Sequence, residues 1–365
     1  KSAIVHNLKI FKKIIGPKVR LMAVIKSNAY GHGALEVAKI CQMAKEVDWL
    51  AAVNLEEALE LRSAKITKPI LVLSYYDLDK NQVRQAIKRN ISLVVYQQRQ
   101  FEFLNRIAGN LKKKALVQFK VDTGTSRLGV PIKDAFQCIN TLMRYKNLKL
   151  SGLFTHYASA EAVNQSFTKE QTKQFYQLIQ KLEQENIFIP LKHVACSAAA
   201  LMDKNYHFDA IRLGISLYGL WSLEDGQNLR KKYQLQPALT WKTKVIEVKE
   251  LSAGATIGYG QTYKAKRKIK IAVLPVGYWE GYDRRLSNRG EVLMLGQRCP
   301  IRGRVCMNLM MVDITGRNVK VGDEAVLIGV QGREVITADE LSKKIGTINY
   351  EVVTRINSNI LRRLI

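Results

Sequence analysis

The chain predicts a parallel (β/α)8 barrel of the TIM type, followed by a smaller, mainly antiparallel β domain. Three observations predict it. Over roughly the first 220 residues, short β-branched runs alternate with longer stretches of helical period. The runs number eight, and they are apolar on both faces. After about Arg230 the texture shifts to closely spaced strand-like stretches divided by glycine-containing turns. A strand apolar on both faces needs cover on both sides, which a ring of crossover helices supplies and a half-exposed antiparallel sheet does not.

In chain order, Ile4–Ile14 has the period of a helix. The chain begins inside it without Met, as a trimmed piece, a fragment or part of a fusion would. The apolar runs are Leu21–Ile25, Trp49–Val53, Ile70–Ser74, Ser92–Tyr96, Ala115–Val121, Leu148–Thr155, His193–Ser197 and Ala210–Arg212. Between them Ala34–Ala44, Asn81–Lys88, Gln97–Ile107, Lys133–Tyr145 and Thr168–Gln184 place apolar residues at helical spacing. The basic, polar segment Ser222–Gln234 is the expected junction, giving a barrel over residues 1–228 and a β domain over 229–365. In the second domain strands are expected at Leu239–Val248, Lys268–Pro275, Glu291–Leu295, Cys299–Cys306, Met310–Ile314 and Glu324–Ile328. A helix is expected around Thr337–Lys344.

Composition narrows the class. A chain of 365 residues, 47% of them apolar, can bury full cores in one large or two ordinary domains. No apolar run approaches the roughly 18 residues needed to cross a bilayer, so no membrane partner is expected and the cytoplasm is the default location. The five cysteines are scattered without a CxxC pair, and the five histidines form no ligand-spaced cluster with them. Reduced thiols and no metal are the expectation. The formal charge of +27 stands out. Its lysines and arginines are spread along the chain with no interleaved aromatics, so a solvated basic surface is expected and no nucleic-acid partner. Such a field would still steer an anionic substrate or a cofactor phosphate.

In a barrel of this kind the chemistry sits at the C-terminal ends of the strands. Read in order, those ends carry Lys26, Lys120, His156, Ser197 and Arg212. Each alone is compatible with an ordinary polar strand end; five at equivalent positions make a site. Lys26 ends an apolar run and opens a polar loop, Lys-Ser-Asn-Ala-Tyr-Gly-His-Gly. A desolvated lysine loses its proton readily and becomes a nucleophile for an aldehyde, although a surface lysine would look the same in isolation. Gly214 and Ile215 follow Arg212, and their backbone N–H groups with the Ser197 hydroxyl would suit a phosphate. In Ile257-Gly-Tyr259-Gly, the flanking glycines suit a turn that presents the tyrosine ring.

Leu21–Gly33, Lys120-Val-Asp-Thr-Gly-Thr-Ser-Arg127-Leu-Gly, Ile257-Gly-Tyr259-Gly-Gln-Thr-Tyr, Pro275-Val-Gly-Tyr278-Trp-Glu-Gly, Arg304-Val-Cys-Met307-Asn308 and Ile348-Asn-Tyr350-Glu occur in this order. Together, from about Asn7 to the C-terminus, they closely resemble the motifs of the alanine racemase family, pyridoxal-phosphate-dependent amino-acid racemases of fold type III. The resemblance implies an isomerase that interconverts L- and D-alanine through a pyridoxal-phosphate aldimine and supplies D-alanine for peptidoglycan. It implies two bases, Lys26 for the D face and Tyr259 for the L face, with Lys26 also holding the cofactor. Tyr30, Tyr350, Ser197, Gly214 and Ile215 would bind the cofactor phosphate, Arg212 the pyridine nitrogen, and His156 would add a polar contact. Arg127, Met307 and Tyr278 would meet the substrate. Lys120 would carry a carbamate, which turns a cation into an anion beside Arg127. Because Tyr259, Tyr278 and Met307 reach the other subunit's barrel in that family, a head-to-tail homodimer with shared sites is implied.

Some positions depart from the family pattern. Cys196 stands where asparagine is common, Leu213 where proline is frequent, Asn308 where aspartate often follows the methionine, and Thr125 and Ser126 vary the loop before Arg127. These bear on affinity and substrate preference. A serine or broad-specificity racemase is the nearest alternative, and a non-catalytic pyridoxal-phosphate carrier a more distant one. A related decarboxylase shares the two-domain plan, but an arginine at the ring nitrogen argues against it, because guanidinium does not give up its proton.

Overall fold

The structure is a computed structural model that describes residues 1–223 and 227–365. The chain divides into two compact units. The first holds Lys1–Ala29, Ala34–Pro237 and Leu364–Ile365; the second holds Tyr30–Gly33 and Ala238–Arg363.

The first unit is a closed eight-stranded parallel barrel. Its strands are β1 (Arg20–Val24), β2 (Trp49–Ala52), β3 (Ile70–Val72), β4 (Ile91–Val95), β5 (Ala115–Asp122), β6 (Leu148–Phe154), β7 (Lys192–His193) and β8 (Ala210–Leu213). They pair in sequence order, and β1 closes on β8 with Met22 opposite Arg212. Each of the eight expected runs overlaps a strand, but of His193–Ser197 only His193 lies in the ladder, and Ser197 begins a helix instead. Val130–Pro131 adds a two-residue strand beside β5.

Helix α1 (Ser2–Ile15) buries Ile4, Leu8, Phe11 and Ile15, a stripe at helical spacing. Asn7 lies in that stripe, and burial obliges its amide to be satisfied. Its Nδ2 donates to the carbonyls of Leu217 and Gln236, and its Oδ1 accepts from the Gln236 N–H. The helices α2 (Ala34–Met43), α3 (Leu55–Ser63), α4 (Lys80–Lys88), α5 (Gln98–Asn110), α6 (Ile132–Met143) and α7 (Ser166–Gln184) follow the strands in alternation. Asn54 caps α3 through Glu57 N–H and Asp79 caps α4 through Gln82 N–H, so both starts are written in local chemistry. The short helix α8 (Ser197–Met202) begins at the serine expected to end a strand. Residues 224–226 lie outside the described residues, and with them part of the expected junction Ser222–Gln234. Its remainder holds the short helix α9 (Gln227–Tyr233).

The second unit is mainly antiparallel. Strands β9 (Trp241–Lys244), β14 (Glu291–Met294), β15 (Gln297–Pro300), β17 (Glu324–Gln331) and β18 (Glu334–Ile336) form one sheet. Strands β10 (Glu247–Leu251), β13 (Ile269–Leu274) and β16 (Met310–Asp313) form another, and β11 (Thr256–Ile257) pairs β12 (Tyr263–Lys264). Two expectations need correction. Leu239–Val248 is not one strand: it is broken between Lys244 and Glu247, where the chain changes sheet. Cys299–Cys306 is strand only to Pro300; beyond it Ile301 makes a single bridge to Val312 and the chain leaves the ladder. Helix α10 (Ala338–Ile345) starts at the Thr337 cap, and α11 (Asn349–Thr354) comes next.

Arg298 on β15 ties this unit together. Its guanidinium meets Glu291, Glu334 and Glu340, and Lys344 bridges Glu291 and Glu340. Removing the arginine would leave three carboxylates facing one lysine in a half-buried setting. Arg298→Ala is therefore expected to cost about 2 kcal/mol, between the value of an exposed pair and a buried one. Urea unfolding checks this, and an unchanged midpoint would show that the network contributes nothing.

Among the described residues no helix is long and apolar enough to cross a membrane, and no group of three His, Cys, Asp or Glu side chains could hold a metal ion. All five cysteines are free thiols.

Candidate active site

Strand β1 delivers Lys26 to the barrel mouth, and the backbone just past it is unusual. Ser27, Asn28, Ala29 and Tyr30 have φ of 54°, 53°, 52° and 54°, a left-handed turn made without glycine. Each such residue costs about 1–2 kcal/mol, so the turn is strain that its surroundings must hold. Ala29 N–H donates to the Ile25 carbonyl, and Ser27 N–H donates to Glu57 Oε1 at 2.7 Å. The other oxygen of Glu57 accepts from Val53 N–H, and Asn28 Oδ1 accepts from Ala34 N–H. One carboxylate thus joins the ends of β1 and β2 directly beside the lysine.

Lys26 is surrounded by positive charge. Burial lowers its pKa first, Arg127 lowers it further, and Arg212 adds to this, against an upward pull from Glu57. Lys120 is 5% exposed and held down to about 8 by burial, then by Arg127 and Arg212. Asp122 shapes the loop that carries Arg127. Its Oδ1 accepts from the N–H groups of Gly124, Thr125 and Ser126. Burial pushes this carboxyl up, but those donors outweigh it and hold it below its ordinary value.

A cation held in a site that lowers its pKa destabilises the folded state while it stays charged. For unmodified Lys120 that cost is fully present below about pH 8 and fades as the pH rises toward the lysine's ordinary value. Lys120→Met is therefore expected to unfold at higher temperature than the unmodified protein near neutral pH, with the gap closing above about pH 8. Thermal melts across that range, in carbon-dioxide-free buffer, decide it; a gap that widens with pH would refute the assignment.

Arg212 on β8 is 5% exposed and tightly held. Its Nη2 donates to the carbonyls of Thr155 and Val194 and to His156 Nδ1 at 3.0 Å. Its Nη1 donates to His193 Nδ1 at 2.6 Å and to the His193 carbonyl. Both imidazoles are kept well below the ordinary histidine range, chiefly by burial and next by the guanidinium. These acceptors are all neutral, so the charge of Arg212 is not cancelled by them.

Ser197 Oγ accepts from Gly214 N–H at 3.0 Å and Ser216 N–H at 3.4 Å. Both oxygen lone pairs are thereby used, and the hydroxyl hydrogen is the donor left for something else. Ile215 opens a short turn after Gly214 and is buried.

The remaining expected residues lie in the second unit. Tyr259 is 73% exposed on a turn whose flanking Gly258 and Gly260 have φ of 70° and 69°. Both glycines take the left-handed region that favours glycine, and a Cβ on Gly260 would lie 3.0 Å from the Arg304 guanidinium, so the turn lies against the Arg304–Met307 loop. Tyr278 N–H donates to the Cys306 carbonyl and Trp279 N–H to that of Met307. Tyr259, Tyr278 and Met307 are thus neighbours on one surface. Tyr30 and Tyr350 pack with ring centroids 6.1 Å apart.

The structure therefore gathers Lys26, Lys120, Arg127, His156, Ser197, Arg212, Gly214 and Ile215 in the barrel unit and Tyr30, Tyr259, Tyr278, Met307 and Tyr350 in the second. Sequence reasoning missed Gln118, His193 and Glu57. The first two had a signal: a polar residue two before Lys120 in an apolar run, and a histidine opening another. Glu57 had none, because a glutamate in the first turn of a helix is common.

The two halves match known proteins separately and together. Residues 1–222 match the family model "Alanine racemase, N-terminal domain" and residues 238–364 match "Alanine racemase, C-terminal domain". The chain is 40% identical to "Alanine racemase 2" of Caldanaerobacter subterraneus subsp. tengcongensis, covering 99% of this chain and 92% of that one. It is 40% identical to the alanine racemase of Methanococcus maripaludis, covering 99% and 96%. Among solved structures it resembles the alanine racemase of Clostridium difficile 630, with a TM-score of 0.92, 35% identity and 98% and 92% coverage. That of Bacillus anthracis with bound L-Ala-P gives a TM-score of 0.91, 35% identity and 98% and 91% coverage. With a barrel mouth of lysines and arginines in one unit and an exposed tyrosine in the other, this chain belongs to the alanine racemase family of isomerases.

Proposed function

We propose that this racemase interconverts L- and D-alanine with pyridoxal 5'-phosphate held at the barrel mouth, and that two copies of the chain share each site. The observation that carries the reading is the cluster around Lys26: an amine whose proton is destabilised, beside a buried guanidinium oriented by carbonyls and imidazoles and a serine with a hydroxyl hydrogen to give. This donor set fits the cofactor. When bound, pyridoxal phosphate supplies an aldehyde for an amine and a conjugated ring that accepts the electron pair left as the α-proton departs.

The protein's part is to bind, orient and move protons. Lys26 Nζ would hold the cofactor, and the same amine would take or return the α-proton on the D face. Tyr259 Oη does the same on the L face. Arg212, oriented by carbonyls and imidazoles, would donate to the ring nitrogen, and as a guanidinium it would have no proton to give up to it. The Ser197 hydroxyl, oriented by Gly214 N–H, and the Ile215 N–H on the turn that Gly214 opens would bind the phosphate with Tyr30 and Tyr350, while His156 accepts from Arg212 and keeps its plane. Arg127 and the Met307 N–H take the substrate carboxylate, and Tyr278 lines the substrate site. Lys120, with a pKa of about 8, has enough neutral amine to take up carbon dioxide, and the resulting carbamate would orient Arg127.

A shared site is supported by the surface of the second unit. Tyr259, Trp279 and Met307 are each more than half exposed, and large apolar groups clustered on one surface call for a partner. The basic charge favours the approach of the anionic cofactor. Location in the cytoplasm, where D-alanine would be made for peptidoglycan, completes the reading.

The test is to incubate the purified protein, with pyridoxal phosphate, in L-alanine and follow D-alanine by chiral chromatography, with L-serine in parallel. D-alanine forming faster than D-serine supports the reading. Turnover of serine alone moves the substrate, and no turnover of either by a protein that binds the cofactor rejects it. Sedimentation of the active species tests the dimer.

A further inference from the structure

We propose that His193, backed by Gln118, is a positioning residue of the racemase reaction: a neutral imidazole in one tautomer that fixes the Arg212 guanidinium from behind. The proposal rests on the functional reading in which Arg212 meets the ring nitrogen of the cofactor.

The tautomer is dictated by donor chemistry. A guanidinium has donors and no acceptor, so the 2.6 Å contact from Arg212 Nη1 uses the lone pair of His193 Nδ1. A neutral imidazole then carries its proton on Nε2. That atom lies 2.7 Å from Gln118 Oε1, which accepts. A second proton on Nδ1 would set N–H against N–H, and both His193 and Gln118 are fully buried, where no water can compensate. The same contacts set the amide orientation. With Oε1 given to His193, the buried Gln118 Nε2 has no partner among the described residues. An unsatisfied buried donor costs about 1–3 kcal/mol, and the protein tolerates it at this place.

The backbone is shaped for the same pair. The β5–β6 register slips between Val117 and Gln118: Val117 faces Leu150 and Gln118 faces Gly152, leaving Ser151 as an extra residue. Bulges of this kind re-aim a side chain. At Gly152 a Cβ would lie 2.9 Å from the Gln118 amide carbon, so the amide fits there only against glycine. Phe154 then locks the imidazole plane. Its ring stacks on His193 at 4.8 Å with 8° between planes, and Arg212 Cζ lies 5.4 Å from the same ring.

The consequence is electrostatic. A carboxylate behind Arg212 would offset its charge and let a proton settle on the ring nitrogen. The Gln118–His193 pair orients the guanidinium and, being neutral, adds no negative charge behind it, which disfavours a proton on the ring nitrogen and with it transamination.

The first experiment needs no cofactor: side-chain NMR of the wild-type protein with isotope-labelled histidine. His193 is expected to stay neutral, with its proton on Nε2, from about pH 6 to 9; a cation, or a proton on Nδ1, overturns the proposal. The second compares Gln118→Leu and Gln118→Glu. Gln118→Leu is expected to mix the His193 tautomers and lower kcat on the order of tenfold with little change in KM. Gln118→Glu is expected to move the signal of isotope-labelled cofactor ring nitrogen toward its protonated form and to raise the fraction of turnovers lost to transamination. If both variants leave that signal unchanged while Arg212→Lys moves it, the relay is wrong. If Arg212→Lys leaves it unchanged too, the placement of Arg212 at the ring nitrogen is wrong and the proposal falls with it. Should Gln118→Glu fail to fold, the wild-type tautomer and Gln118→Leu decide.

Discussion

Lys26→Ala is expected to slow alanine racemisation by about a thousandfold or more, the loss that accompanies removal of a positioned proton-transfer group. The expectation comes from where the amine sits. It closes a buried strand, its proton is destabilised by burial and by Arg127, and a strained left-handed turn anchored by Glu57 fixes the backbone on its far side. Water cannot reproduce that placement. The characteristic absorbance of the lysine-held cofactor should vanish as well. Chiral chromatography and a visible spectrum measure both effects, and added methylamine should restore part of the rate by standing in for the missing amine. A variant that keeps a tenth of its turnover would remove Lys26 from the chemistry.

Tyr259→Phe carries the second large effect and a sharper signature. The substitution keeps the ring and removes only the hydroxyl, on a turn that is mostly exposed in the isolated chain. Racemisation is expected to fall by about 10²–10⁴-fold. Exchange of the α-proton of L-alanine with deuterated solvent should fall with it. Exchange from D-alanine, which depends on Lys26, should persist, and the cofactor spectrum should be unchanged. Equal loss on both faces would mean that the tyrosine supports the site rather than serving one face. Mixing this variant with Lys26→Ala adds a check on the shared site. If each site takes Lys26 from one copy and Tyr259 from the other, mixed dimers regain one intact site, whereas sites built within single copies would stay dead.

Much of the fold was legible because burial imposes a pattern. The eight barrel runs are apolar on both faces and each overlaps a strand in the expected order, although His193–Ser197 meets its strand only at His193. The helices between them carry their own caps, as at Asn54 and Asp79. Legibility fell where local preference and tertiary demand part company. Cys299–Cys306 has strand composition throughout, yet only its start finds a ladder partner, since the rest is drawn into the loop beside Tyr259 and Tyr278. Ser27–Tyr30 would be assigned to a loop by any propensity, because no sequence rule predicts four left-handed residues without glycine.

The amino-acid sequence alone determined the barrel, the β domain after it and the chemical types at the strand ends, because periodicity and residue chemistry are local properties. Which charges feel one another was decided by the tertiary structure. Lys120 and Arg212 are 92 positions apart in the chain, and only the successive pairing of β5 with β6, β6 with β7 and β7 with β8 sets them in one cluster, where burial and mutual repulsion bring the lysine to about 8. The orientation of Arg212 is likewise a tertiary result, set by carbonyls and imidazoles from β6, β7 and the turns after them. A residue's identity fixes what it can donate or accept; its pKa and its direction depend on neighbours that only the closed barrel supplies.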